Sequence, residues 1–101
     1  MIMTGKERAA LRAEAHRLTP TVHVGHQGTN ESAVHSLDDV LRTHELVKVA
    51  LSRNVEVRPR ELARQLSVAT RSEVVQVIGR TATFYRHNPE LKRKDGVPPW
   101  R

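Results

Sequence analysis

The sequence predicts a single α/β domain with a four-stranded mixed sheet and packed helices, in the order α-β-α-β-α-β-β. Three observations predict it. Apolar residues recur at helical spacing in three segments, each followed by a short β-branched run. The last run is followed at once by another, across the two residues Gly79-Arg80, as in a hairpin. The length, 101 residues, suits one domain with a modest core.

Each element has a local cause. Thr4-Gly5-Lys6-Glu7 has the form of a capping box, so a first helix is expected from about Lys6 to Arg17, with Leu11, Ala15 and Leu18 on one stripe. Pro20 forbids its continuation, and Thr21 to Val24 reads as a short strand. The loop Gly25-His26-Gln27-Gly28 follows, and Thr29 or Asn30 can cap a second helix that runs to about Thr43 on Val34, Leu37, Val40 and Leu41. Glu45 to Leu51 is short, β-branched and nearly all apolar, as expected of a strand covered on both faces. Pro59 suits a first helical turn, opening a third helix to about Thr70 with Leu62, Leu66 and Ala69 inward and Arg60 and Arg64 outward. Glu73 to Ile78 reads as another buried strand and Thr81 to Arg86 as the last. Strands separated by helices are expected to pair in parallel through right-handed crossovers, with the hairpin adding one antiparallel partner. Residues 4–87 form the expected domain, and 88–101, with Lys92, Arg93, Lys94 and Arg101, a flexible basic tail.

Composition narrows the chemistry. Seventeen Lys+Arg against eleven Asp+Glu give a formal charge of +6, and most of the basic residues are arginine. The pI is near 10.8. That balance favours a polyanionic partner, nucleic acid first, and arginine is the residue shaped for forked contacts to phosphate. No cysteine is present, which excludes disulfides and thiolate metal sites. No apolar run approaches the length of a membrane span, and none at the start suits a secretory signal, so a soluble cytoplasmic protein is expected.

The candidate site is the glycine-flanked loop. Gly25 and Gly28 let the backbone turn tightly and approach a ligand without a Cβ in the way. Free N–H groups at the start of the following helix make a site for phosphate, to which His26 and Gln27 add donors. Taken alone, the pattern reads equally well as a turn that needs its glycines for its own geometry. The first helix supplies the context: if it packs beside the loop, Lys6, Arg8, Arg12 and Arg17 share a surface with His26. Their mixture with Glu7 and Glu14 reads equally as an ordinary solvated face. Lys48, Arg80 and Arg86 are the next candidates. A bulky residue in place of Gly25 or Gly28 is expected to weaken ligand binding and leave the fold intact.

Three segments together carry a family resemblance: KERAALRAEAHRLTPTVHVGHQG, THELVKVAL and VVQVIGRTATFYR. In this order and at these separations they resemble the CRM domain family (chloroplast RNA splicing and ribosome maturation), in its bacterial stand-alone, YhbY-like form. The resemblance covers residues 4 to about 87. It implies an RNA-binding domain similar in fold to the C-terminal domain of translation initiation factor three, associated with precursors of the large ribosomal subunit. It also implies that Gly25-His26-Gln27-Gly28 clamps an RNA backbone as the loop of a KH domain does. Two positions depart from the family pattern. His26 stands where lysine is common, which lowers the loop's charge near neutral pH. Thr29-Asn30-Glu31 replaces the commoner leucine-threonine-glutamate.

The remaining function classes find little support. No nucleophile motif accompanies the scattered histidines, so neither catalysis nor a cofactor is expected. His23 and His26 lack the carboxylate or thiolate neighbours of a zinc site. Phe84, Tyr85 and Trp100 are the only aromatics, too few for a base-stacking platform, so recognition of backbone and shape is expected over base reading. The expected protein is a monomeric RNA-binding accessory factor of ribosome assembly that takes no small-molecule substrate and no membrane. The alternatives are a ribosome-associated protein-interaction module and a DNA-binding domain.

Overall fold

The structure is a computed structural model that describes residues 3–91 and Trp100. Lys92, Arg93, Lys94 and Arg101 of the expected basic tail lie outside the described residues. The element order is α1 (Gly5–Ala15), β1 (Val22–Val24), α2 (Glu31–His44), β2 (Leu46–Leu51), α3 (Pro59–Thr70), β3 (Glu73–Ile78) and β4 (Thr81–Tyr85).

The helix ends follow from local chemistry. At α1, Glu7 N–H donates to Thr4 Oγ1 at 3.1 Å and Thr4 N–H donates to Glu7 Oε1 at 3.3 Å, the two reciprocal bonds of a capping box. Asn30, not Thr29, caps α2: its Oδ1 accepts from Ala33 N–H at 2.8 Å. Glu45, expected to open β2, instead ends α2 at φ 62°, and its side chain is fully buried. There Oε2 accepts from Asn88 N–H at 2.6 Å and lies 3.3 Å from His87 Nδ1, so the turn also fastens the segment after β4. Pro59 opens α3 as expected, and Arg71 in the left-handed conformation closes it.

The strands lie in the order β1-β2-β4-β3. β1 and β2 are parallel, whereas β4 runs antiparallel to both β2 and β3. The expected mixture of pairings is corrected here: the sheet has one parallel and two antiparallel pairs, because β4 inserts between β2 and β3. Burial explains the choice. Ala82 and Phe84 of β4 are wholly buried, so that strand gains most from the middle. β3 carries Glu73 and Gln76 and buries only Val75, so the expectation of a second buried strand fails and it forms an edge. A register shift between Val74 and Gln76 bends that edge.

The two faces of the sheet are covered unequally. α2 and α3 cover one face over the main core, where Leu37, Leu41, Leu62 and Leu66 meet Val47, Val49 and Phe84. In α3 the inward residues are Leu62, Ala63, Leu66 and Thr70; Ala69, expected inward, is exposed. On the other face α1 packs alone across β2 and β3, where Met3 and Leu11 meet Leu46 and Val75. Trp100 joins that smaller core, edge-on to Tyr85 at 6.4 Å. A single helix about 10–12 Å wide cannot cover four strands about 4.8 Å apart, so part of this face stays open.

Candidate nucleic-acid interface

Three chain segments meet at one end of the sheet. Gly25-His26-Gln27-Gly28 leaves the carboxyl end of β1, residues 52–58 leave the carboxyl end of β2, and Gly79-Arg80 joins β3 to β4. Backbone hydrogen bonds hold them side by side. Ser52 N–H donates to Val24 C=O at 2.9 Å, and Leu51 N–H donates to Arg80 C=O at 2.8 Å. The Arg80 guanidinium also donates to Ser52 C=O at 3.2 Å. Carboxyl ends of parallel strands are where open α/β sheets present their ligand sites.

Within the loop, Gly28 N–H donates to Gly25 C=O at 3.0 Å and closes the turn. Gly28 is buried with φ 66°, and a Cβ there would lie 3.4 Å from Val55 Cγ1 and 3.6 Å from Leu62 Cδ1. Its glycine serves the turn. Gly25 is exposed, lies outside the left-handed region and has no atom within 4 Å of a Cβ position, so its glycine leaves room for something else. The backbone N–H groups of His26 and Gln27 find no acceptor among the described residues. The Gln27 side chain is partly engaged: its Oε1 accepts from Asn30 Nδ2 at 3.0 Å, which leaves its own N–H groups free to donate outward.

The eleven expected site residues divide by position. Gly25, His26, Gln27, Gly28 and Arg80 come together at this end. Arg8 does not: its guanidinium donates to Val74 C=O at 2.6 Å and Val75 C=O at 3.4 Å, satisfying the bend in β3 at the opposite end of the sheet. Lys6, two residues before it in the first turn of α1, is exposed and makes no ion pair among the described residues. Packing of α1 on β2 and β3 rather than on β1 is what separates this helix from the loop. Arg86 is largely buried and donates to Asp38 Oδ1 and Thr70 C=O, both at 2.7 Å, which ties α2 to α3. Lys48 donates to Ala15 C=O at 3.2 Å and closes the end of α1. Arg12 and Arg17 are exposed, Arg17 just beyond the end of α1.

Three arginines were not among the expected site residues. Arg53, Arg58 and Arg60 are exposed and make no ion pair among the described residues. They flank the connection between β2 and α3, and Arg58, Pro59 and Arg60 border Gly79 across a shallow cleft. With Arg80 they put four arginines along this end of the sheet, against the one carboxylate of that connection, Glu56. The available signal was an arginine-rich connection, RNVEVRPR, after a predicted strand.

Comparison with known proteins adds to this geometry. The profile of the CRS1 / YhbY (CRM) domain matches residues 3–86. The chain belongs to that family. Its relatives include the "Probable RNA-binding protein YqeI" of Bacillus subtilis, 36% identical over 92 residues, which are 91% of this chain and 96% of the relative. A "Probable RNA-binding protein" of Methanocaldococcus jannaschii is 36% identical over 93 residues, 90% of this chain and 69% of that one. The solution structure of a Staphylococcus aureus protein, described as a candidate RNA-binding protein, superposes with a TM-score of 0.78 at 43% identity. It covers 90% of this chain and 95% of its own. The CRM fold of this chain is therefore the single α/β domain expected from sequence.

Proposed function

We propose that this chain binds structured RNA by gripping the phosphate backbone at the loop end of its sheet, as a non-catalytic accessory factor in assembly of the large ribosomal subunit. The observation that carries the reading is the convergence of an open glycine turn with free amide donors and four arginines on one rim. Amide groups at such a turn hold phosphate oxygens, and guanidinium groups neutralise the flanking phosphates. RNA-binding names among the relatives support RNA over other polyanions. The ribosomal assignment rests on the resemblance of the segments around the loop to the YhbY-like form. No helix among the described residues is long and apolar enough to cross a membrane, in keeping with a partner in solution.

The test is binding of ribosomal RNA fragments by Arg53→Ala/Arg80→Ala as salt is raised. Two lost phosphate contacts should weaken binding to all fragments alike and reduce the salt slope by about two. A slope equal to the parent's would place the RNA elsewhere. Equal competition by matched DNA hairpins would favour a general polyanion site. Sequencing of RNA cross-linked in cells, with the protein's position in a ribosome-particle gradient, tests the large-subunit assignment.

A further inference from the structure

The part of the sheet that α1 leaves open carries a second polar feature. Beyond the end of α1, a cavity of about 300 Å³ is lined by His16, Lys48, Gln76, Ile78, Thr81 and Thr83. Gln76, Thr81 and Thr83 make no side-chain hydrogen bond among the described residues. Thr83, in the floor of the cavity, is only 1% exposed. Lys48 uses one of its three donors on Ala15 and keeps two. Ile78, on the same wall, is 57% exposed.

A second depression of similar size is lined by His23, Gly25, Ala50 and Ser52. Ala50 pairs with His23 on one side and Thr81 on the other. Ala50 thus stands between the two hollows in the sheet, and the span from β1 to β4 is about 10 Å at the usual strand spacing.

We infer that the cavity of Gln76, Thr81 and Thr83 receives one unpaired nucleotide of the bound RNA, splayed out from a backbone held at Gly25. The inference rests on the RNA-binding reading above. The lining suits a base and its ribose. The Gln76 carboxamide and the Thr81 hydroxyl both donate and accept, as the edge of a base requires, and Ile78 offers an apolar surface to its face. Lys48, with two donors to spare, can meet a phosphate of the same nucleotide. A bare phosphate would leave the carboxamide oxygen and the isoleucine unused. Unpaired bases are where proteins read RNA sequence, and hydrogen bonding here needs no aromatic platform. The volume stands at the lower end of those that take small organic groups.

The experiment compares an RNA hairpin bearing an unpaired loop with a fully paired RNA of the same length. Gln76→Ala/Thr81→Val should lose on the order of tenfold in affinity for the looped RNA and leave the paired RNA unchanged, as expected when contacts to one base are removed. In the parent protein, the Gln76 side-chain amide resonances should shift on adding the looped RNA alone. That measurement does not depend on the variant's folding. Unchanged affinity of the variant for both RNAs, or a silent Gln76 amide, overturns the inference and leaves the loop-end reading standing. A protein ligand in this cavity would give that same negative result. If Arg53→Ala/Arg80→Ala also binds both RNAs like the parent, the loop-end reading itself has failed.

Discussion

The two glycines of the loop, alike in sequence, should respond differently to the same substitution. Gly28 sits at φ 66°, where an L-residue costs roughly 1–2 kcal/mol. Its surroundings add little, since a Cβ would touch Val55 at 3.4 Å and Leu62 at 3.6 Å, close to ordinary contact. Gly25 has neither constraint. Either alanine also stiffens the unfolded chain, which favours folding by about 0.4–1 kcal/mol at a compatible position. That gain is common to both variants and cancels in their difference. Gly28→Ala should therefore be less stable than Gly25→Ala by about 1–2 kcal/mol, each kcal/mol lowering Tm by about 4–8 °C in a domain of this size. Urea denaturation of both variants measures the gap, and Gly28→Asn should narrow it, since asparagine tolerates this conformation. Equal stability of the two alanine variants would refute the assignment of Gly28 to the turn. The expectation that a bulky residue leaves the fold undisturbed therefore applies to Gly25, whereas at Gly28 the backbone conformation adds a cost in stability. Gly25→Val is the cleaner probe of RNA approach: it should fold normally and bind more weakly.

Two further outcomes follow from side chains with fixed partners. Arg8→Ala should destabilise the fold by about 1–2 kcal/mol in urea, because charged donors to two carbonyls of β3 are lost, and should leave the salt slope of RNA binding unchanged. A reduced slope would return Arg8 to the interface. The Glu61 carboxyl should titrate below the ordinary glutamate range, because the hydrogen bond from the Arg64 side chain favours its charged form, with a smaller coulombic contribution from the same group. A depressed folded pKa means that any stabilisation by this exposed pair is present above the unfolded pKa and fades as pH falls through the folded one. Carboxyl resonances followed through acid pH should move upward in midpoint on Arg64→Ala, and an unmoved midpoint would deny the pair.

The sequence by itself determined the elements and their order. Capping residues, Pro59, the helical spacing of Leu62 and Leu66 and the β-branched runs are local signals, and each acts within a few residues of the chain. The glycine loop was legible for the same reason. Which strand sits beside which was not, because that depends on how much surface each buries once all are present. Phe84 and Ala82 draw β4 to the centre and leave Gln76 and Glu73 on an edge, a comparison among distant segments that local patterns cannot make. The same limit moved the interface. Whether Arg8 faces RNA or a neighbouring strand depends on where α1 lands, and it lands on β2 and β3. Arg53, Arg58, Arg60 and Arg80 share a rim with Gly25 only because pairing brings the ends of β1, β2 and the hairpin to one end of the sheet. Charge was written in the chain; its placement was decided by which faces had to leave water.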